Sequence, residues 1–120
     1  MKNKTLVLGA SENPARYSNK AILTLLSKKH SVVAIGKKAG EVSGVEIQTE
    51  QVKSDDIDTV TLYLNPDHQV PYYDYILSLK PRRIIFNPGA ENEDLERIAA
   101  IEGIDVLEAC TLVMLGTGQY

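Results

Sequence analysis

The residues best suited to binding chemistry lie in a short segment after the first apolar run of the sequence. Gly9 permits a tight turn and a close approach of the backbone to a ligand, while Ser11 and Asn13 can hydrogen bond or cap a helix. Arg16 follows closely and can reach an anion. A phosphate here would meet free backbone N–H groups and the positive end of a helix dipole. The segment has neither G-x-G-x-x-G nor the P-loop G-K-[ST], so an ordinary capped turn explains it equally well.

Two consecutive lysines, Lys37 and Lys38, follow the second apolar run. A domain that binds NAD usually has an acidic residue at this point, where it holds the ribose hydroxyls. Two cations favour instead an additional phosphate near the ribose, such as the 3′-phosphate of coenzyme A or the 2′-phosphate of NADP. The alternative interpretation is a solvated lysine pair without a ligand.

Two further loops contain an Asn-Pro pair. Asn65, which precedes Pro66, could hydrogen bond a base or a ribose. Asn87 and Gly89 belong to a loop that would let the backbone approach a pyrophosphate or a pantetheine arm. As structure alone, both loops are common strand-end turns with a helix cap.

The remaining reactive side chains form no complete catalytic set. Cys110 is the one cysteine, and a free cysteine is more often a small buried hydrophobe than a redox group. His30 is expected at a helix end and His68 in an opening helical turn, and no spacing suits a metal site. Three tyrosines between positions 72 and 75 are expected to pack or to form a subunit contact. We therefore expect no catalytic residue and no metal.

The elements that must position these loops are short apolar runs that alternate with helical patterns. Runs of this length that end at turn residues are typical of strands buried on both faces, and they lie at residues 5–8, 31–35, 59–64, 83–86 and 104–107. Helical patterns lie at residues 15–29, 66–79 and 91–101. The alternation predicts an α/β fold, a single Rossmann-like domain over residues 1–120, with a mostly parallel five-stranded sheet and helices on both faces. Residues 39–58 show no clean period, with a short edge strand near 45–47. Ligands of such sheets bind beyond the carboxyl ends of the strands.

Length and composition exclude several classes of protein. A chain of 120 residues suits one domain. Its net charge of −3 argues against a nucleic-acid partner. No stretch approaches the roughly 20 apolar residues that span a bilayer, so no membrane partner is expected. Because one cysteine allows no internal disulfide, we expect a cytoplasmic protein.

Taken together, the loops and strands resemble a known family. The chain is similar to the small CoA-binding proteins of bacteria, which correspond to the N-terminal CoA-binding domain of the succinyl-CoA synthetase alpha subunit. Residues 9–18 resemble the family's G-A-S-x-x-P-x-R-x-S opening. Weaker similarities follow at residues 58–66, at residues 86–93 and at residues 102–110, where the family closes on a cysteine. The resemblance covers nearly the whole chain.

The resemblance implies a site for coenzyme A or an acyl-CoA. Phosphates would be held by the first loop, the adenosine phosphate by the lysine pair, and the rest of the ligand by the two Asn-Pro loops. The cofactor-binding residues would be Gly9, Ala10, Ser11, Asn13, Arg16, Lys37, Lys38, Asn65, Pro66, Asn87 and Gly89. The synthetase domain that carries a phosphorylated histidine has no counterpart in the sequence, so ligase activity is not expected.

The sequence therefore predicts non-catalytic binding of coenzyme A, either for regulation or in support of a partner enzyme. Two alternatives stay open. The lysines suit an NADP-binding redox or sensor domain as well. The family commonly has Asn-Pro after its second strand, where this chain has Gly36 and the lysine pair. That departure also fits an interaction protein with a decayed nucleotide site that works as a homodimer.

Overall fold

The strands form at the apolar, β-branched runs, because such side chains pack well on both faces of a sheet. The computed structural model describes residues 3–120. Its strands are β1 (Thr5–Ala10), β2 (Val32–Gly36), β3 (Gly40–Val42), β4 (Val45–Gln48), β5 (Thr59–Leu62), β6 (Arg83–Phe86) and β7 (Asp105–Glu108). The five predicted runs correspond to β1, β2, β5, β6 and β7, and the short strand expected near residues 45–47 is β4. It is not at the edge of the sheet, because β3 lies beyond it and raises the number of strands to seven.

One sheet contains all of these strands in the order β3-β4-β2-β1-β5-β6-β7. The neighbours pair in parallel except for β3 and β4, which are antiparallel. The chain leaves β1 first toward β2 and β4, and then returns to β5 on the other side. The order of the strands therefore reverses between β1 and β5, and a crevice forms at such a switch point. The predicted Rossmann-like class is confirmed.

The antiparallel pair is a tight hairpin. Val42 pairs with Val45, so only Ser43 and Gly44 connect the two strands. Their φ angles are 49° and 87°, and two successive positive φ angles define the turn that best matches the twist of a hairpin. The hairpin accounts for much of the segment in which the sequence showed no period.

The helices cover both faces of the sheet. They are α1 (Tyr17–Ser27), α2 (Pro66–Gln69), α3 (Tyr73–Ser78), α4 (Glu93–Ile101) and α5 (Thr111–Gly116). A short 3-10 turn, Val70–Tyr72, separates α2 from α3 where a continuous helix was predicted. The reason is Pro71, which lacks an N–H donor and restricts the residue before it. None of the helices in residues 3–120 has both the length and the apolar character needed to cross a bilayer.

Two apolar clusters hold the layers together. On one face Val7 packs with Ile22 and Leu25 of α1, and α5 lies beside α1. On the other face Leu6 shares a cluster with residues of α3 and α4. Adjacent side chains of β1 thus enter opposite clusters, as the alternation of a strand requires. The helices on both faces confirm the predicted architecture and leave the carboxyl edge of the sheet to its loops.

Candidate functional site

A pocket of about 220 Å³ opens where β1, β2 and β5 end. This is the switch point of the sheet. Its walls combine an apolar surface with a few polar side chains, the usual character of a site for a small molecule. The lining residues are Gly9, Ile35, Gly36, Lys37, Leu64, His68 and Tyr72.

Gly9 shapes the end of β1. Leu8 pairs with Ile35 and Ala10 pairs with Gly36, so Gly9 is an extra residue in the ladder between β1 and β2. Its φ is +100°, and a Cβ at this position would lie 3.1 Å from the carbonyl carbon of Tyr63. Only glycine combines that conformation with so close an approach of two backbones.

The loop between β1 and α1 is held by its own hydrogen bonds. The N–H of Asn13 donates to Oγ of Ser11 at 3.1 Å, and the N–H of Ala15 donates to Oδ1 of Asn13 at 2.9 Å. The side-chain amide of Asn19 donates to the carbonyl of Ser11 at 3.0 Å. Ser11 and Asn13 therefore fix the shape of the loop.

The N-terminus of α1 is open to an anion. Arg16 is its N-cap residue, and the first turn has neither a side-chain cap nor an acidic residue. The positive end of the helix dipole is thus not neutralised by the helix itself. Arg16 is exposed and adds a cation at the same place.

The lysine pair follows directly after the end of β2, beside the pocket. Lys37 lines the pocket, and both Lys37 and Lys38 are exposed. Gly36 just before them is buried, and a Cβ there would collide with the carbonyl oxygen of Ala10. Ala10 itself is buried in β1. Its backbone packs against Gly36, and Ala10 does not line the pocket itself.

Asn65 and Pro66 start the helix that forms one wall. Oδ1 of Asn65 accepts the N–H of His68 at 3.0 Å and so caps α2. Pro66 is the first residue of α2, where a missing N–H has no consequence. The two residues place His68 at the pocket, and neither lines the pocket itself.

Asn87 belongs to the framework rather than to the pocket lining. It is 3% exposed, and its amide nitrogen donates to Oγ1 of Thr61 at 2.7 Å and to the carbonyl of Leu62 at 2.9 Å. Its Oδ1 accepts the N–H of Thr111 at 2.9 Å. These bonds join β5, β6 and α5. A direct contact between this amide and a ligand stays a prediction and would require one of them to break.

Gly89 is in a different position. It is exposed, with a φ of +93°, and its N–H donates to Oε1 of Glu91 at 2.8 Å. A carboxylate of the protein thus accepts the hydrogen bond of this N–H, at a point where the backbone was predicted to approach a ligand. Like Asn87, Gly89 does not line the pocket.

Five lining residues were not among the predicted ligand contacts: Ile35, Gly36, Leu64, His68 and Tyr72. Leu64, His68 and Tyr72 are spaced four residues apart, which is the spacing of one helical face. Their position directly after a buried strand was the signal available in the sequence. The neighbouring Tyr73 and Tyr75 face the interior, where their hydroxyls bond Asn92 at 2.8 Å and the carbonyl of Val52 at 2.6 Å.

A buried amide braces the wall that carries His68 and Tyr72. Gln69 is completely buried. Its amide nitrogen donates to the carbonyls of Leu64 at 2.8 Å and Ala90 at 2.7 Å, and its oxygen accepts from the amide of Asn92 at 2.9 Å. A fully satisfied buried network of this kind is rigid. It ties the pocket wall to the loop before α4.

Two further reactive groups lie outside the pocket lining. Burial raises the pKa of the Tyr63 hydroxyl to about 12, and this hydroxyl has no well-formed hydrogen bond. Cys110 is a free, half-buried thiol. Within residues 3–120, no group of three or more His, Cys, Asp or Glu side chains could hold a metal ion.

Comparison with known proteins connects this geometry to a ligand. Residues 3–116 match the family model described as a CoA binding domain. A crystal structure of an uncharacterised protein is 48% identical, with a TM-score of 0.97, and the match covers 100% of this chain and 99% of that one. A conserved hypothetical protein from Pyrococcus furiosus is 24% identical, with a TM-score of 0.80 and coverage of 93% and 98%. A hypothetical protein from Pyrococcus horikoshii OT3 is 21% identical, with a TM-score of 0.87 and coverage of 96% and 82%. The last two similarities concern the fold alone. No curated protein matches the chain.

Proposed function

This chain belongs to the CoA-binding domain family, and from that premise we propose that it binds coenzyme A or an acyl-CoA in the pocket at the ends of β1, β2 and β5. The family assignment confirms the resemblance found in the sequence. One observation carries the placement of the ligand. Gly9 and Lys37, which the sequence analysis singled out in separate loops, line the same pocket at the switch point of the sheet.

The charges around the pocket suit the two phosphorylated positions on the ribose of coenzyme A. In the proposed arrangement, the 5′-diphosphate lies against the loop of residues 9–16, near the N-terminus of α1 and Arg16. The 3′-phosphate lies near Lys37 and Lys38, because exposed cations attract a dianion most strongly at short range.

The apolar part of the pocket takes an uncharged group. Its volume of about 220 Å³ is below the range of roughly 300–1,000 Å³ that holds a whole drug-sized ligand. The pocket therefore encloses one ring system, and the rest of the ligand lies along the carboxyl edge of the sheet. Ile35, Leu64 and Tyr72 provide the surface for that ring.

The proposal includes no catalytic step. Among the described residues, neither a carboxylate nor a Ser, Thr or Cys side chain lines the pocket. We propose that the protein binds its ligand unchanged in the cytoplasm, and that the bound state regulates or supplies a partner enzyme. The family assignment favours coenzyme A over NADP as the ligand.

The lysine pair gives the sharpest test of the ligand. Calorimetric titrations with CoA and dephospho-CoA should show tighter binding of CoA by the wild-type protein. The double variant Lys37→Ala/Lys38→Ala should lose about tenfold or more in affinity for CoA, because one charge-assisted contact contributes roughly 1.5–3 kcal/mol and tenfold corresponds to about 1.4 kcal/mol. Its affinity for dephospho-CoA should change little.

A matched control removes the same charge outside the pocket lining. Lys28 ends α1 and Lys53 lies between β4 and β5, so Lys28→Ala/Lys53→Ala should bind both ligands as the wild type does. Equal affinities of the wild type for CoA and dephospho-CoA would contradict the role of the lysines. Binding of neither ligand would favour a decayed site.

A further inference from the structure

Glu12 lies in the loop between β1 and α1, but its side chain contacts the hairpin. Its Oε2 accepts the backbone N–H of Glu41 at 2.9 Å. A Cβ on Gly40 would lie 2.7 Å from Oε1 of Glu12. The Glu12 side chain therefore occupies the space that any residue other than glycine would need at position 40. The loop and β3 are thereby clasped together.

The donor in this clasp belongs to an edge strand. β3 is the last strand of the sheet on its side, and backbone donors on such an edge have no further strand to bond. The Glu12 carboxylate satisfies one of them. Glu41 pairs with Glu46 of β4, so the bond anchors the loop to the whole hairpin.

The clasp is one of two anchors on opposite sides of the loop. On the side of α1, the amide of Asn19, which is 5% exposed, donates to the carbonyl of Ser11 at 3.0 Å. On the side of the hairpin, Glu12 bonds Glu41. The carboxylate of Glu12 is thus engaged with β3 and does not cap the start of α1.

We propose that Glu12 is a positioning residue, which fixes the loop so that its backbone and the start of α1 face the 5′-phosphates of the ligand. The inference rests on the proposed function. It gives the hairpin, which the parallel sheet does not need, a role in ligand binding. It also explains why a loop that is proposed to bind phosphate contains a carboxylate, because the Glu12 carboxylate bonds the N–H of Glu41.

Three ligands separate this role from a merely structural one. CoA and adenosine 3′,5′-bisphosphate carry a 5′-phosphate, whereas adenosine 3′-monophosphate does not. Glu12→Ala should weaken the first two about fivefold or more, since a loop that is no longer preorganised must be ordered on binding. Adenosine 3′-monophosphate should bind as it does to the wild type.

Companion variants separate the clasp from the charge. Glu12→Gln removes the charge but keeps an oxygen that accepts the N–H of Glu41, so it should bind all three ligands at least as well as the wild type. Glu50→Ala removes an exposed carboxylate outside the hairpin and serves as the charge control. Gly40→Ala displaces the Glu12 side chain by an independent route. It should reproduce the loss, with no further loss when it is combined with Glu12→Ala.

Each outcome decides the proposal. Selective loss for the 5′-phosphate ligands in Glu12→Ala and Gly40→Ala supports it. No loss, or an equal loss for all three ligands, overturns it while the proposed function stands. A wild-type protein that binds none of the ligands overturns the proposed function and this inference with it. Thermal unfolding of each variant shows whether it is folded, and if Glu12→Ala is not, Gly40→Ala carries the test.

Discussion

At the scale of single residues, Gly9 joins the stability of the sheet to the shape of the site. It supplies the extra residue that ends β1, and it lines the pocket. Gly9→Ala would place a side chain at a φ of +100° and 3.1 Å from the Tyr63 carbonyl carbon. We expect a loss of about 1–3 kcal/mol in the free energy of unfolding. We also expect weaker binding of CoA, because relief of the contact must move the loop.

Gly44→Ala is the control for this prediction. Gly44 also has a positive φ, +87°, but a Cβ there would meet nothing within 4 Å. It should therefore destabilise the protein through its backbone conformation alone and leave the affinity for CoA unchanged. Urea denaturation and calorimetric titration of both variants measure the two quantities. Unchanged CoA affinity in Gly9→Ala would place the ligand away from this end of β1.

Residue types revealed part of the site in advance. Gly9 and Lys37 could be singled out because each lies where a predicted strand ends, and ligands of such sheets bind beyond the carboxyl ends of the strands. Tyr72 and His68 could not, since tyrosine and histidine serve equally well in packing and as helix caps. Asn87 shows the opposite case. Its Asn-Pro-Gly context is typical of a loop that contacts a ligand, but whether such an amide faces the ligand or the interior depends on Thr61 and Thr111, which are distant in the sequence.

At the scale of elements, α4 and β7 bring two carboxylates together. Burial, a hydrogen bond with Glu108 and the charges of Glu108 and Glu93 raise the pKa of Glu96 above its ordinary value of 4.5, although the N–H of Asn92 opposes the shift. The folded protein therefore holds this proton more tightly than the unfolded chain does. The contribution of Glu96 to stability must then fall as the pH rises from 4.5 through the raised pKa.

Glu108→Gln should remove the repulsion between these elements. We expect a gain of about 0.5 kcal/mol in the free energy of unfolding at pH 7, a value limited by solvent screening. The gain should shrink as the pH falls and Glu96 is protonated. Urea denaturation at several pH values measures it, with Glu102→Gln, an exposed residue at the end of α4, as the control. A gain that does not depend on pH would exclude the carboxylate pair as its source.

The elements also show which parts of the fold a periodic sequence pattern can predict. The five predicted strands were evident because each is an apolar run that ends at turn residues. Strand β4 was expected near residues 45–47, but as an edge strand, because β3 with its three residues is too short for alternation to be recognised. The helix expected over residues 66–79 is interrupted by the 3-10 turn at Val70–Tyr72. The interruption could not be predicted, because the effect of Pro71 on a helix depends on how much of the preceding turn has formed. The contact between Glu12 and Glu41 could not be predicted from the sequence either, because it depends on the position of the hairpin.

At the scale of the whole molecule, the carboxyl and the amino ends of the parallel strands have different roles. The carboxyl edge bears the pocket, and the amino edge is closed by Tyr120. The Tyr120 hydroxyl hydrogen bonds Oγ1 of Thr5, and its ring lies 4.3 Å from the guanidinium carbon of Arg83 and packs edge-on against His30. Nη2 of Arg83, a residue that is 5% exposed, donates to the main-chain oxygen of Tyr120 at 2.8 Å. These contacts join the starts of β1 and β6.

Tyr120→Ala should therefore lower stability without changing the affinity for CoA. We expect a loss of about 2–4 kcal/mol, somewhat less than for a fully buried aromatic residue, and about 1 kcal/mol for Tyr120→Phe, which loses only the hydroxyl bond. Urea denaturation measures the loss, and titration of the folded variants with CoA measures the affinity. If the ligand binds at the carboxyl edge, Gly9→Ala should lower both the stability and the affinity for CoA, whereas Tyr120→Ala should lower the stability alone. Loss of CoA affinity in a folded Tyr120→Ala protein would mean that the two edges are coupled or that the ligand binds elsewhere.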